Sequence, residues 1–353
     1  MAAATIGASM SVAGDLAYAA LQFYVKKGGL MQTTQDKPLL RILKSKQKMF
    51  PGGNNSSYGI SLPIQGATIF SSEGVGMIQK YSHDDAISFY RPANLVRAEY
   101  PWYETISGLV LSGTDLKQDG ISLVDDRAVT HSKAAETRLT SILKNRLDDF
   151  GESWSRAMNR MLWETGDAAP TVKGLLSILT DTFTTGTVGT IDSATSTWWR
   201  HRGSLGIQYS ATNQTLTQLM RSEMVQLRRF GGKPTVALCG SSFLEALRLE
   251  VQAKGLYTQS NFDSKSGTNI GMSIVNLDGL DFEYDPTLDD MGRGKHCYIF
   301  DPNRISLYTM EGEDNRVFTP TRPYNYIVLL QNMTWTGGLA CNQRNCNGVY
   351  SIA

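Results

Sequence analysis

The sequence predicts an α+β fold, with helices and strands grouped in separate stretches of the chain. Three observations carry that reading. Apolar residues recur at three- and four-residue steps from about Asp126 to Thr165, which is helical spacing. Before this stripe the chain is strand-like and thinly apolar. After it, short strands separated by Asp-Gly, Asp-Pro and glycine-rich turns accompany two amphipathic helices.

Taken in order, Asp15 to Val25 reads as a short amphipathic helix ended by Gly28 and Gly29. Lys26, Lys27, Lys37, Arg41, Lys44, Lys46 and Lys48 follow with only Asp36 among them, a local charge of +6 in a chain whose net charge is +1. Met49 to Ser57 is a breaker cluster, so the first 57 residues read as an arm outside the compact core. Tyr58, Ile60 and Leu62 then alternate with small polar residues. A polar, glycine-bearing stretch runs from Gly66 to Asp85, and Ala86 to Tyr90 and Leu95 to Val110 return as strands. This hairpin has too few large apolar side chains for a core of its own. It either lies on the body or is held by another subunit.

The helical stripe carries Ala135, Leu139, Ile142 or Leu143, Leu147, Phe150, Trp154, Ala157 or Met158, and Met161 or Leu162 on one side and Lys133, Glu136, Lys144, Arg146, Asp148, Arg156 and Arg160 on the others. About 35 helical residues would reach about 50 Å, longer than a compact domain of this size requires. Beyond Pro170, Val172 to Leu179 reads as a short helix and Thr212 to Phe230 as an amphipathic one. Thr235 to Cys239 is a buried strand, and Ser241 or Ser242 caps a helix running to Gly255. Short strands are expected at Ser273–Leu277, Asp281–Tyr284, His296–Phe300 and Ile305–Tyr308. Tyr324 to Met333 is strand-like, Thr334 to Gly338 reads as a turn, and a last strand runs through Tyr350.

Composition excludes several classes. At 353 residues, 41% hydrophobic and 19% charged, the chain is an ordinary folder and not a disordered one. Its near-zero net charge gives no global field toward nucleic acid or membrane. The longest apolar runs, such as Ile327 to Leu330, fall far short of the roughly 18 residues that span a bilayer. Met1 leads into small residues with no basic or hydrophobic leader, so no signal peptide is expected. Four cysteines are not a disulfide framework.

Catalytic signatures are weak. Cys239-Gly-Ser-Ser242, at a strand-to-helix turn, has the look of a nucleophile elbow, but G-x-S-x-G is absent and no base motif surrounds His83, His131, His201 or His296. Capping and packing account for it better. Cys341-x4-Cys346 has the wrong spacing for a zinc half-site. Gly186-Thr-Val-Gly189 is too short for a phosphate loop. No catalytic residue, cofactor or metal is expected.

An ordered set of segments resembles the major capsid protein family of tailed bacteriophages, with the HK97-like fold. They are Ile106-Ser-Gly-Leu-Val-Leu-Ser-Gly-Thr-Asp-Leu116, Val172-Lys-Gly-Leu-Leu-Ser-Ile178, and Gly189-Thr-Ile-Asp192 followed by Trp198-Trp-Arg200. The set closes with Gly279-Leu-Asp-Phe-Glu-Tyr-Asp-Pro286, Cys297-Tyr-Ile-Phe-Asp-Pro-Asn-Arg304 and Gly337-Gly-Leu-Ala-Cys-Asn-Gln-Arg344. The resemblance implies an N-terminal arm at 1–56, an extended hairpin or E-loop at 57–112, and a peripheral domain with a spine helix at 113–169. An axial α+β domain at 170–318 and return strands of the peripheral domain at 319–353 complete it.

The implied function is a structural subunit that self-assembles, as hexamers and pentamers, into an icosahedral shell around a double-stranded DNA genome. Assembly would occur in the host cytoplasm and the product would be a virion. A separate scaffolding protein, a portal and a decoration protein are the implied partners, with no membrane. The alternatives are a non-viral nanocompartment shell and a cysteine-dependent hydrolase. Candidate subunit contacts are Ile69, Phe70, Val75, Met77, Ile78 and Lys80 on the hairpin, with Lys80 in the place of a cross-linking lysine. Trp198, Trp199 and Arg200 are either a core anchor or a further subunit contact. The basic residues from Lys26 to Lys48 are expected on the inner face, against a neighbour's acidic surface or packaged DNA.

Overall fold

A computed structural model describes residues 34–50, 54–55, 60–61, 64–69, 81–86, 96–112, 149–167, 170–210, 212–253, 275–318 and 328–353. The helix expected at 15–25, Lys26, Lys27 and most of the 113–148 stretch's helical stripe lie outside these residues. The compact body spans Asp36–Ala353.

Helix α1 (Pro38–Ser45) starts with a proline, whose missing N–H is no loss in a first turn. Leu39 and Leu43, one turn apart, are fully buried. The Leu40 N–H donates to Asn159 Oδ1 at 2.9 Å, and Lys37 Nζ meets Glu152 at 2.7 Å. Both partners lie on α2, the helix at 149–163. Strand β1 (Lys48–Phe50) then pairs in parallel with β14 (Ile305–Met310). The arm expected to stay outside the core up to residue 56 is therefore corrected: residues 36–50 belong to the body. Between the basic residues of α1 lies a short apolar stripe, Leu39 and Leu43, that points inward.

Short pairings β2 (Asn54–Asn55) with β3 (Ile60–Ser61) and a ribbon of β4 (Ile64–Ile69) with β5 (Val96–Tyr100) come next. The base of the ribbon is clamped to its own chain. Tyr100 is buried and its hydroxyl donates to the Cys341 carbonyl at 3.2 Å, and the Glu99 N–H donates to Gly189 O at 3.1 Å. Gly189 has φ +61°, and a Cβ there would stand 2.9 Å from the Tyr100 ring, so only glycine fits.

The strand expected over Leu95 to Val110 is broken at Pro101, where β5 gives way to β6 (Tyr103–Ser112). β6 pairs antiparallel with β16 (Val328–Cys341) from Tyr103 opposite Gly337 to Ser112 opposite Val328. The other edge of β16 is shared by β14 and the short β15 (Arg316–Val317), completing a five-stranded sheet. The turn expected at Thr334–Gly338 is thus corrected to continuous strand. Its glycine serves packing: a Cβ on Gly337 would lie 2.2 Å from the Tyr308 carbonyl and 2.7 Å from the Trp335 ring.

The second sheet has six strands, in the order β11 (Val275–Leu277), β12 (Leu280–Tyr284), β10 (Val236–Cys239), β13 (His296–Phe300), β17 (Gly348–Ile352) and β9 (Arg202–Ile207). Ala237, Cys239, Cys297, Ile299 and Tyr350 pack toward α4 (Thr215–Arg228) and α5 (Ser241–Ala253). Leu238, Tyr298, Phe300 and Val349, pointing the other way, pack with Met158, Leu162 and Trp163 of α2, with α3 (Leu175–Ile178), and with Trp335 and Leu339 of the first sheet. Burial on both faces explains the unbroken apolar runs of these strands. Helix α6 (Pro286–Asp290) is capped by Asp285, which accepts from Thr287 N at 2.9 Å and from Trp163 Nε1 at 2.8 Å. Burial raises the Asp285 pKa against these hydrogen bonds.

Strand β17 lies in the six-stranded sheet, while β14 and β15 lie with β16. A division of the chain at 318/319 therefore cuts across both sheets, because β14, β15 and β16 lie together in the first and β17 returns to the second. The crossing from β16 to β17 holds Arg344, which is fully buried. Its Nε donates to Ile178 O at 2.7 Å, one terminal nitrogen to Ser193 Oγ at 2.7 Å and the other to Thr180 Oγ1 at 3.3 Å. The hairpin β7 (Thr187–Val188) and β8 (Ile191–Asp192) runs beside it. His201 is also buried and its Nε2–H donates to Thr180 O at 2.7 Å. Burial first, and the Arg344 charge second, lower its pKa to about 3.

Two outcomes follow from this packing. Leu43→Ala should destabilise the body by about 2–5 kcal/mol, seen as a lower urea midpoint; an unchanged midpoint would place α1 outside the core. For His201, the unfolded chain takes up a proton that the folded chain refuses between pH 6.5 and about 3. Its contribution to stability is complete above pH 6.5 and is lost as pH falls, by about 1.4 kcal/mol per unit. Between pH 7 and pH 5, denaturant titrations should find His201→Gln gaining about 2 kcal/mol relative to the parent. A difference that does not change with pH would contradict this.

Candidate assembly surfaces

The catalytic-looking segment proves to be structural. Cys239 is fully buried at the end of β10. Ser241 begins α5, where its N–H donates to Asp289 Oδ1 at 3.1 Å, and the same carboxylate accepts from the Tyr284 hydroxyl at 2.7 Å. Burial and this carboxylate push the Tyr284 phenol up to about 12. Burial drives the Cys297 thiol well up and the Cys346 thiol to about 12, away from the thiolate that nucleophilic chemistry needs. His83 is exposed, and burial holds His296 below its ordinary range. Among the described residues no group of three His, Cys, Asp or Glu side chains converges to hold a metal.

Trp198 and Trp199 lie in a short 3₁₀ turn (Thr197–Trp199) that Arg200 follows, beside the β7–β8 hairpin. Trp199 is 1% exposed and its indole N–H donates to Val188 O at 2.9 Å. Trp198 packs edge-on against it, with ring centroids 6.0 Å apart. Arg200 donates to the Ser193 and Ala194 carbonyls at 2.7 and 3.0 Å. Trp199 is buried in the core and has no surface left for a neighbour, while Trp198 and Arg200 stay half-buried.

The basic segment is also largely engaged within the chain. Lys37 pairs with Glu152, Arg41 with Glu283, and Lys44 stands 3.9 Å from Asp314. The Lys48 ammonium sits 5.6 Å from the Tyr308 ring centre. Lys46 is exposed. These ion pairs are partly solvated and individually weak, yet they direct α1 toward the body. On the ribbon, Ile69 ends β4 opposite Val96. Phe70, Val75, Met77, Ile78 and Lys80 lie outside the described residues.

A surface the sequence reading did not single out lies on the five-stranded sheet. Cross-strand register puts Ile106 and Val110 of β6 on one face with Leu330 and Thr334 of β16. Across β16, Arg316 opposes Thr334, and the Phe318 N–H donates to Asn332 O at 2.9 Å. Ile106 is 67% exposed, Val110 54% and Phe318 41%, with the Arg316 guanidinium 5.0 Å from the Phe318 ring centre. The opposite face carries Met333 and Trp335 into the core. The alternation of Ile106, Gly108 and Val110 against Ser107, Leu109 and Leu111 is the sequence signal for this face, since successive residues of a strand point to opposite sides.

No family profile matches the sequence, and no curated protein matches it. Solved structures do. A chain of the cyanophage A-1(L) capsid asymmetric unit superposes over 91% of this chain and 94% of its own length, with 12% identity and a TM-score of 0.65. A chain from the Mycobacterium phage Ogopogo structure covers 92% and 95%, with 11% identity and a TM-score of 0.52. A chain from the capsid of Myoviridae phage XM1 covers 92% and 94%, with 10% identity and a TM-score of 0.51. The chain has the HK97-like fold of tailed-phage capsid chains.

Proposed function

We propose that this chain is a structural shell subunit that assembles with copies of itself into an icosahedral capsid around double-stranded DNA. The observation that carries the proposal is the correspondence of its fold with a phage capsid chain over 91% of this chain and 94% of the other. In this reading the ribbon from 57 to 112 is an E-loop, α2 is the C-terminal part of a spine helix, and the first sheet belongs to a peripheral domain. The six-stranded sheet with α4 and α5 is the axial domain, and the sheets rather than residue 318 set the boundary. Hexamers and pentamers, a scaffolding protein, a portal and a decoration protein are the partners this architecture would use.

Two surfaces support the reading physically. The ribbon is anchored at its base by Tyr100, Glu99 and the buried Ala98, and a lone two-stranded ribbon is marginal in water. Ile69, Phe70, Val75, Met77, Ile78 and Lys80 would reach a neighbour. The exposed apolar face at Ile106, Val110 and Phe318 would be covered in the same assembly, as such patches usually are. Lys46, with Lys26 and Lys27, would remain for the inner side, whereas Lys37, Arg41 and Lys44 are already paired.

Electron microscopy of the purified protein, alone and co-expressed with the gene products of its own genome, tests the function. Closed shells containing nucleic acid are the expected result; persistent monomers under both conditions would overturn it. The paired variant Ile106→Glu and Val110→Lys should keep a cooperative melt within about 1 kcal/mol of the parent, since these side chains are exposed, and should fail to form shells. Normal shells from this variant would remove the sheet face from the proposal.

A further inference from the structure

Two of the four cysteines stand directly opposite each other in the core of the six-stranded sheet. Cys239 on β10 is the cross-strand partner of Cys297 on β13. Both are free thiols and fully buried. Their position in the ladder is the decisive feature. The Gly240 N–H donates to His296 O at 3.0 Å, so Gly240 and His296 form a hydrogen-bonded pair. The Cys239 carbonyl instead accepts from Asp285 N at 3.0 Å, on the side of β12. Cys239 and Cys297 therefore occupy a non-hydrogen-bonded position of the antiparallel pair. Such positions bring Cα atoms to about 4.5 Å, inside the range of about 4.4–6.8 Å that a disulfide spans. The two side chains also point to the same face of the sheet and pack in one apolar cluster.

We propose that Cys239 and Cys297 are a latent cross-strand disulfide, closed by a hydroperoxide oxidant and reopened by a thiol reductant. The chemistry balances with hydrogen peroxide as the two-electron acceptor. One cysteine sulfur, as its thiolate, attacks a peroxide oxygen. An S–O bond forms, the O–O bond breaks, and hydroxide leaves to take up the proton that the thiol gave. The second sulfur then displaces the hydroxyl from the sulfenic acid, forming the S–S bond and releasing a second water. Two thiols and one peroxide become one disulfide and two waters.

Burial makes the pair slow and not inert. Cys297 is held protonated, so thiolate is scarce while the sheet is closed. Phe243 and Leu247 of α5 pack in the same cluster and exclude bulky oxidants, leaving a molecule the size of peroxide as the suitable reagent. Cys341 and Cys346 differ, since the Cys346 thiol donates to Gln343 O at 3.4 Å and sits at the β16–β17 crossing. Closing the pair would link β10 to β13 across the middle of the sheet and restrain the unfolded chain over the long intervening segment. The proposal is independent of shell assembly.

The test uses the intact protein. After incubation with hydrogen peroxide, free thiols counted in denaturant should fall from four to two, and the mass should drop by two hydrogens. Peptide mapping should recover Cys239 joined to Cys297. Dithiothreitol should restore all four thiols, and the oxidised form should melt several degrees higher than the reduced one. The same incubation in sub-denaturing urea should run faster, because opening exposes the pair. Finding both residues still as thiols in the presence and absence of urea would overturn the proposal. So would finding them as sulfinic acids, or finding the new bond between Cys341 and Cys346.

Discussion

The guanidinium of Arg344 is held entirely out of water by two hydroxyl oxygens and one carbonyl, with no carboxylate among these partners. Burial lowers its pKa to about 10, so it stays charged at neutral pH. A buried cation is tolerable only where its donors are met, and losing one acceptor leaves a desolvated charge. The acceptors come from three places: the end of α3, Thr180 just after it, and Ser193 after the β7–β8 hairpin. Arg344 itself is in the crossing between the two sheets. Its requirements thus fix how the first sheet, the second sheet and the 178–193 segment meet. The neighbouring Asn347 extends the same crossing, giving its side-chain oxygen to the Asp301 N–H at 3.0 Å and its amide to Gln343 O at 2.8 Å.

Around that junction the body buries its largest side chains. Trp163, Trp199 and Trp335 are all buried, as are both faces of the six-stranded sheet. The Ile106 face of β6 has no such cover. A rigid body with one exposed apolar sheet face is what tiling with identical copies would use. Contacts made at those places need not disturb the core.

Much of this was legible in the sequence. The strands of the second sheet are continuous apolar runs because both faces are covered, and the α4 and α5 stripes follow helical spacing closely. Two features misled. Gly337 and Gly338 look like a turn, yet glycine in β16 makes room for the Trp335 ring and the Tyr308 carbonyl. The basic residues around α1 look like a free arm, yet Leu39 and Leu43 anchor it between them. Arg344 gave no local signal at all, because its partners are more than 150 residues away. The exposed face of β6 is written in the alternation of Ile106, Gly108 and Val110 with Ser107, Leu109 and Leu111.

The central claim is that the Arg344 junction makes the two sheets one cooperative unit. Native-state hydrogen exchange on the protein tests it most directly, comparing amides of β16 with those of β10, β13 and β17. The account predicts that the slowest amides of both sheets open with the same free energy, and that they keep a common value as denaturant is added. Two separate plateaus, with one sheet opening well below the other, would contradict it.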